Sequence, residues 1–285
     1  RHPSRHQREP LMQPIFTDLM GASIFITGGG SGIGAALTEG FLRQGAKVAF
    51  CQRSDATAFC DAMEAATDNR PLFLPCDITD LGALQGALAA AAEAHGPISV
   101  LVNNAANDQR HNTLETDEAF FDWSIAINLK AYFFAAKAVI PAMQAAGGGA
   151  IINFSSISYM MGNAGYPVYT ASNSAINGLT RSLAREFGPD RIRVNALAPG
   201  WVLTQKQKDK WVTPEGLAGS EERKWRRQPW TTGPLPRPPS RPTDPTTAAA
   251  AARTAVANAS AAPMKRLREE ARKNSIFILM LPLHL

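Results

Sequence analysis

Short apolar runs along the chain alternate with longer stretches whose apolar positions recur at helical spacing. The runs Ser23–Thr27, Lys47–Cys51, Pro71–Pro75, Ile98–Asn103, Ala150–Ser155 and Ile192–Ala196 predict six strands. Ile33–Gln44, Leu81–His95, Phe120–Ala146 and Tyr169–Phe187 predict helices, the third of them bounded or interrupted near Pro141. Strands separated by helices predict an α/β protein with a doubly wound parallel sheet. Runs that are apolar throughout, such as Val100–Val102, suit strands buried on both faces, and right-handed crossovers place helices on both sides.

The alternation breaks near residue 219. Pro229–Pro245 holds seven prolines, and Ala248–Ala262 is low in complexity. Proline removes a backbone donor and resists both helix and central strand. This stretch therefore reads as extended or disordered. Met264–Lys273 has the pattern of a basic helix, and the apolar run Ile276–Leu283 is too short to cross a bilayer. The expected organisation is an N-terminal extension over residues 1–17, an α/β domain over 18–218, and an irregular Pro/Ala-rich basic tail over 219–285.

Composition sharpens this division. The 285 residues are 45% hydrophobic, enough for an ordinary core. The formal charge of +5 suggests nucleic-acid binding until it is located. Residues 1–204 hold 14 Lys+Arg against 17 Asp+Glu, whereas residues 205–285 hold 15 against 7. The basicity belongs to the tail and says little about the main domain. Lys265, Arg266, Arg268, Arg272 and Lys273 lack interleaved aromatic residues, so a solvated basic helix explains them more simply than a nucleic-acid surface. Cys51, Cys60 and Cys76 suggest no disulfide framework. No clustered His/Cys pattern points to a metal. No long apolar stretch follows the charged residues Arg1–Pro10 before the first glycine run, so no secretory leader or membrane anchor is expected and the cytoplasm is the default.

The glycine run brings in chemistry. Thr27–Gly34 reads TGGGSGIG, follows a strand and opens a helix. Gly28, Gly32 and Gly34 allow close backbone approach. The amides of Ser31, Gly32 and Ile33, with the helix dipole, favour a pyrophosphate. In this context the run predicts a dinucleotide site rather than a plain tight turn. Gln52 and Arg53 end the second strand. An acid there would accept the ribose hydroxyls of NAD, whereas Arg53 is able to pair with the 2′-phosphate of NADP. The cofactor is thus NAD or NADP, with a lean toward NADP; an ordinary surface arginine is the alternative. Asp77, followed by Ile78, ends the third strand and is a candidate for the adenine amine or for a simple turn. Asn103 and Ala105 follow the fourth strand, where small residues let the chain pass close to a cofactor. His111 is either a substrate contact or a satisfied surface residue.

Tyr169 lies thirteen residues after Ser156, and Asn173 follows four residues later. With TGGGSGIG, Asn103–Ala106 (NNAA), Asn128 and Pro199-Gly200, these residues resemble the short-chain dehydrogenase/reductase family over about residues 18–218. The resemblance implies a Rossmann-like fold and hydride transfer between a nicotinamide cofactor and an alcohol or carbonyl. It implies that Tyr169 is the general acid/base, that Ser156 steadies the reacting oxygen and that Asn128 organises a water-linked proton path. It adds Pro199, Gly200, Val202 and Thr204 to the cofactor contacts. Tyr169 and residue 173 share a helical face. The family places a lysine at 173, which lowers the tyrosine pKa and bonds the nicotinamide ribose. Asn173 is able to keep a ribose bond but supplies no charge, so turnover at neutral pH is expected to be impaired. A catalytically weak or inactive NAD(P)-binding regulatory protein is the alternative.

The strings NNAANDQRH at Asn103–His111 and KDKWVTPEG at Lys208–Gly216 are similar to those of bacterial aldose 1-dehydrogenases, which oxidise the anomeric carbon. Asn107, Arg110, Ser156, Asn163 and Trp201 become the substrate candidates. The similarity stops near Gly219, where the family continues into a further helix and a seventh strand. Neither is found in the pattern, so the usual seventh strand is expected to be missing and one sheet edge uncovered. A homo-oligomer is implied if that C-terminal interface is intact.

Overall fold

The computed structural model describes residues 14–161, 164–200, 202, 204 and 205, and a two-residue strand at 276–277. The expected N-terminal extension before residue 14 and nearly all of the tail lie outside the described residues, including Lys265–Lys273.

The strands are β1 (Ser23–Thr27), β2 (Lys47–Gln52), β3 (Leu72–Pro75), β4 (Val100–Asn103), β5 (Gly149–Phe154) and β6 (Ile192–Leu197). The helices are α1 (Gly32–Arg43), α2 (Thr57–Thr67), α3 (Leu81–His95), α4 (Glu118–Ile125), α5 (Ala131–Ala145), α6 (Ser158–Met161) and α7 (Pro167–Phe187). The strand order is β3-β2-β1-β4-β5-β6, the doubly wound arrangement expected from the alternating pattern. Beside β6, Ile276–Phe277 (β7) pairs in parallel with Ala196 and Leu197. This pairing spans only two residues, so the sheet is a six-stranded doubly wound fold without a full seventh strand among the described residues, as expected.

The described residues fall into two compact units. The first contains the chain up to Ala105, with Ala131–Ile151 and Pro189–Arg193. Every residue of β1 is buried, as expected for a strand covered on both faces. Thr27 pairs with Cys51, and Cys51 pairs with Leu74, so the carboxyl ends of β1, β2 and β3 lie in register. Asp80 caps α3, its carboxylate accepting from the Ala83 amide at 3.0 Å. Pro141 lies inside α5 instead of ending it, and Ala135, Val139, Ile140 and Met143 face the core.

The second unit contains Ala106–Lys130, Ile152–Gly188 and the residues from Val194 onward. Asp117 caps α4 through the Phe120 amide at 2.8 Å. That helix therefore starts at Glu118, two residues before the expected limit. A π-helical turn, Ala126–Lys130, follows it and interrupts the regular winding. The whole run Glu118–Ala145 is long and apolar enough to cross a bilayer by length and composition, but its buried side chains mark a core helix.

Candidate active site

In the first unit the phosphate loop is built by backbone and small side chains. Gly28 has φ +71°, a region that glycine enters without strain. A Cβ on Gly34 would collide with the Gly28 carbonyl oxygen, so only glycine fits where α1 crosses the loop. The Thr38 hydroxyl donates to the Gly29 carbonyl at 2.8 Å and ties the loop to α1. Ser31 is the N-cap of that helix and its side chain makes no capping bond. The first-turn amides of Gly32, Ile33 and Gly34 are therefore not capped by it, the arrangement that receives an anion at a helix start. The cradle fits a dinucleotide pyrophosphate.

Thr27 and Asn104 hold this loop to the end of β4. The Thr27 hydroxyl accepts from the amides of Asn104 and Ala105 at 2.9 and 3.0 Å. The Asn104 side chain donates to the carbonyls of Thr27 and Gly28 at 3.0 and 3.2 Å. Asn103 is fully buried and donates to the Tyr132 carbonyl at 3.3 Å. Gln52 does not stand free at the end of β2. Its Oε1 accepts from the Gly30 amide at 3.0 Å, and its Nε2 donates to the Ser54 carbonyl at 3.0 Å. Arg53 lies 3.7 Å from Asp77 Oδ2 in an exposed pair. Asp77 Oδ1 accepts from the Thr79 amide and hydroxyl at 2.9 and 2.8 Å. Burial works against the Asp77 carboxylate, but Thr79 and Arg53 outweigh it and hold the group below the usual carboxylate range. Ile78 is buried beside it. Cys51, Cys60 and Cys76 are free and buried.

The second unit holds the residues expected to do chemistry. Asn128 sits in the π turn, a geometry that recurs at functional sites, and is 1% exposed. Its Oδ1 accepts from the Asn107 amide at 2.8 Å and its Nδ2 donates to the Asn107 carbonyl at 3.1 Å. The Asn107 side chain is engaged locally, accepting from the Gln109 amide at 2.8 Å. The Arg110 guanidinium lies 3.7 Å from the centre of the Tyr166 ring, a cation–π stack. Ser156 follows β5, and its hydroxyl accepts from the Ser158 amide at 3.1 Å.

Tyr169 lies in the first turn of α7, which opens with Pro167. Burial pushes the phenol above its ordinary value, and Asp108 and Tyr166 act in the same direction. Hydrogen bonds with Ser156 and Asn173 oppose the rise without reversing it. Asn173 is 3% exposed and donates through Nδ2 to the Tyr169 carbonyl at 2.8 Å. Its own carbonyl accepts from the Ser155 hydroxyl at 2.9 Å and from Asn177 at 2.8 Å. Residue 173 therefore offers the phenol an amide and no charge. Pro199 is buried, and its carbonyl accepts from the Ile157 amide at 3.3 Å; the Gly200 position faces Ile157. The Thr204 amide donates to the Val202 carbonyl at 2.9 Å. Asn163 and Trp201 lie outside the described residues.

Four contributors were not singled out from the residue pattern. Thr27 and Asn104 act through contacts more than seventy residues apart in sequence, which no local period reveals. Ser155 and Asn177 make a buried polar contact at 3.1 Å. A signal for it existed: Asn173, Asn177 and Thr180 recur at helical spacing on the buried face of α7, where apolar residues would be ordinary.

The glycine cradle in one unit and the serine–tyrosine pair in the other are each parts that an NAD(P)-dependent oxidoreductase uses, and similarity to known proteins shows that class. A family model for short chain dehydrogenase matches residues 22–214. The chain belongs to this family, whose members transfer hydride between a nicotinamide cofactor and an alcohol or carbonyl. A protein named probable galactose dehydrogenase GalD, from Rhizobium meliloti (strain 1021), is 43% identical over 210 residues, covering 73% of this chain and 82% of that protein. D-xylose 1-dehydrogenase of Caulobacter vibrioides (strain NA1000 / CB15N) is 44% identical over 205 residues, covering 72% and 81%. Among solved structures, L-sorbose reductase from Gluconobacter frateurii, complexed with NADPH and L-sorbose, superposes with a TM-score of 0.66 at 26% identity. That match covers 72% of this chain and 82% of the other.

Proposed function

We propose that the protein oxidises an aldose at its anomeric carbon with NAD or NADP, and that its turnover is weak at neutral pH. The observation that carries the reading is the buried Tyr169 phenol, bonded to Ser156 and faced by the neutral amide of Asn173. The NNAANDQRH string and the sugar dehydrogenases among the relatives support an aldose.

The residues present fit a dinucleotide. Gly28, Ser31, Gly32, Ile33 and Gly34 would hold its pyrophosphate, and Gln52, Arg53, Asp77, Ile78, Asn103 and Ala105 its adenosine half. Pro199, Gly200, Val202 and Thr204 would hold the nicotinamide half. The nicotinamide supplies the hydride acceptor when bound. Tyr169 takes the proton of the anomeric hydroxyl, and Ser156 donates to the same oxygen as its charge changes. Asn128, clamped to the chain at Asn107, holds the proton path that returns Tyr169 to its starting state. Asn173 is able to bond a ribose hydroxyl but gives the phenolate no countercharge. Asn107 and Arg110 line the sugar side, with Asn163 and Trp201 as further candidates. Arg53 beside the end of β2 supports a preference for NADP. A homo-oligomer is proposed on the family pattern. The free thiols support a cytoplasmic setting.

A second reading has its own observation. The phenol is raised by burial and no cation faces it from residue 173, which supports a dinucleotide-binding protein without useful turnover. One experiment separates the two: reduction of NAD and of NADP is followed over a panel of aldoses and simple alcohols from pH 7 to 11. Sugar-dependent reduction that grows with pH is expected. Dinucleotide binding with no turnover of any substrate at any pH would establish the second reading instead.

A further inference from the structure

We propose that His111 is a positioning residue whose imidazole caps the first turn of α7 and thereby fixes where Tyr169 stands. The proposal rests on Tyr169 being the acid/base, as argued above. Helix starts leave backbone N–H groups without intrahelical partners. The N-cap of α7, Tyr166, has an extended φ of −165° and makes no side-chain capping bond. The cap comes instead from a distant loop: the Val168 amide donates to His111 Nε2 at 3.2 Å, across 57 residues of sequence.

The other ring nitrogen specifies how the imidazole is protonated. Nδ1 lies 3.0 Å from the Gln109 carbonyl oxygen. A carbonyl partner requires a proton on Nδ1, and an amide donor requires a bare Nε2. Both conditions are met by one neutral tautomer only. With both nitrogens engaged, the ring has no free atom for a substrate hydroxyl or for proton transfer. This decides between the two roles open to His111 from the sequence.

The ring is also held in place. It packs on Phe120 at 4.7 Å between centroids. The His111 amide donates to the Gly165 carbonyl at 2.9 Å, and Gly165 has φ +89° in the turn that enters α7. His111 therefore grips the chain on both sides of Tyr166, and Tyr169 is the residue next after Val168. The far end of the same short loop is Asn107, clamped reciprocally to Asn128. One segment, residues 107–111, links the backbone beside the asparagine to the backbone beside the tyrosine. A loosened cap lets the first turn fray and the phenol drift from Ser156, and small displacements of a reacting group are costly to rate.

The test uses the full chain with His111→Phe, which keeps a ring against Phe120 but removes the acceptor, and His111→Gln, which restores an acceptor. The imidazole nitrogens are assigned by 15N NMR, amide exchange is followed at Val168 and Tyr169, and the Tyr169 phenol is titrated by ultraviolet absorbance against Tyr169→Phe. The parent is expected to show a proton on Nδ1. His111→Phe is expected to exchange about fivefold faster at Val168, the loss typical of one cap. Its phenol should titrate at higher pH, because the bond from Ser156 that favours the phenolate is weakened. His111→Gln should return both toward the parent. A proton on Nε2 of the parent would overturn the cap. Faster exchange with an unmoved phenol titration would overturn the positioning role. None of these readouts needs a substrate, so a failed aldose screen would count against the sugar reading and leave this one measurable.

Discussion

The two units are built for different tasks and by different means. In the first, the phosphate cradle is made of backbone amides and missing side chains. Gly34 is required because any Cβ meets the Gly28 carbonyl, and Thr27 with Asn104 merely pins that backbone. In the second, the working parts are side-chain functional groups: a phenol, a hydroxyl and two carboxamides. A backbone device depends on residues that leave room for it, whereas a side-chain device depends on the functional group that each residue carries. The chain shows this contrast directly, with a complete cradle in one unit and a neutral residue 173 in the other. Substitutions in the two units are therefore expected to act differently on binding and on turnover.

The largest expected effect breaks the second unit alone. Tyr169→Phe should lower residual turnover by about 10²- to 10⁴-fold, the range for losing a general acid/base, with dinucleotide affinity measured by calorimetry unchanged. Asn173→Lys should act in the opposite direction. Burial holds the phenol high, so the parent carries little phenolate at neutral pH and its activity should climb through the alkaline range. A cation at 173 favours the phenolate, moves that rise to lower pH and should raise the rate at pH 7 about tenfold or more. Equal rates for the two proteins at pH 7 would show that the missing charge is irrelevant.

The next prediction breaks the first unit alone. Gly34→Ala should cost about 1–3 kcal/mol of stability from overpacking and weaken dinucleotide binding about tenfold. The alkaline titration of Tyr169 should not move. The smallest effect concerns the exposed end of β2. Arg53→Ala should leave affinity for NAD unchanged and reduce that for NADP several-fold, since the Arg53–Asp77 pair is exposed and contributes about 0–1 kcal/mol at most. Equal loss for both cofactors would remove Arg53 from the 2′-phosphate.

What could be read from the chain follows the same division. The limits of β1 and α3 coincide with those expected from apolar pattern, because a strand buried on both faces and an alanine-rich helix are both local signals. The glycine loop was equally plain, since its geometry depends on residue type at fixed spacing. Features that depend on distant partners were not. The π turn at Ala126–Lys130 has no signature in a run of apolar residues, and Pro141 is tolerated inside α5 despite its usual effect. The helix α2 leaves no apolar period to read, because Thr57–Thr67 buries little apolar surface, with Cys60 its only buried residue. The His111 cap required a histidine to meet an amide 57 positions away.

Asn173 makes a comfortable interior residue. Its carboxamide bonds the preceding turn of its own helix, and its backbone carbonyl is well supplied with donors. Nothing at that position is left unsatisfied to unsettle the surrounding packing. Cellular quality control senses exposed surface and poor packing, and both are blind to an absent positive charge. The amide at 173 thus sits in the buried face of its helix without a packing defect that would reveal it. Yield and melting temperature are therefore the wrong instruments for judging it, and only a reaction clock would tell the difference.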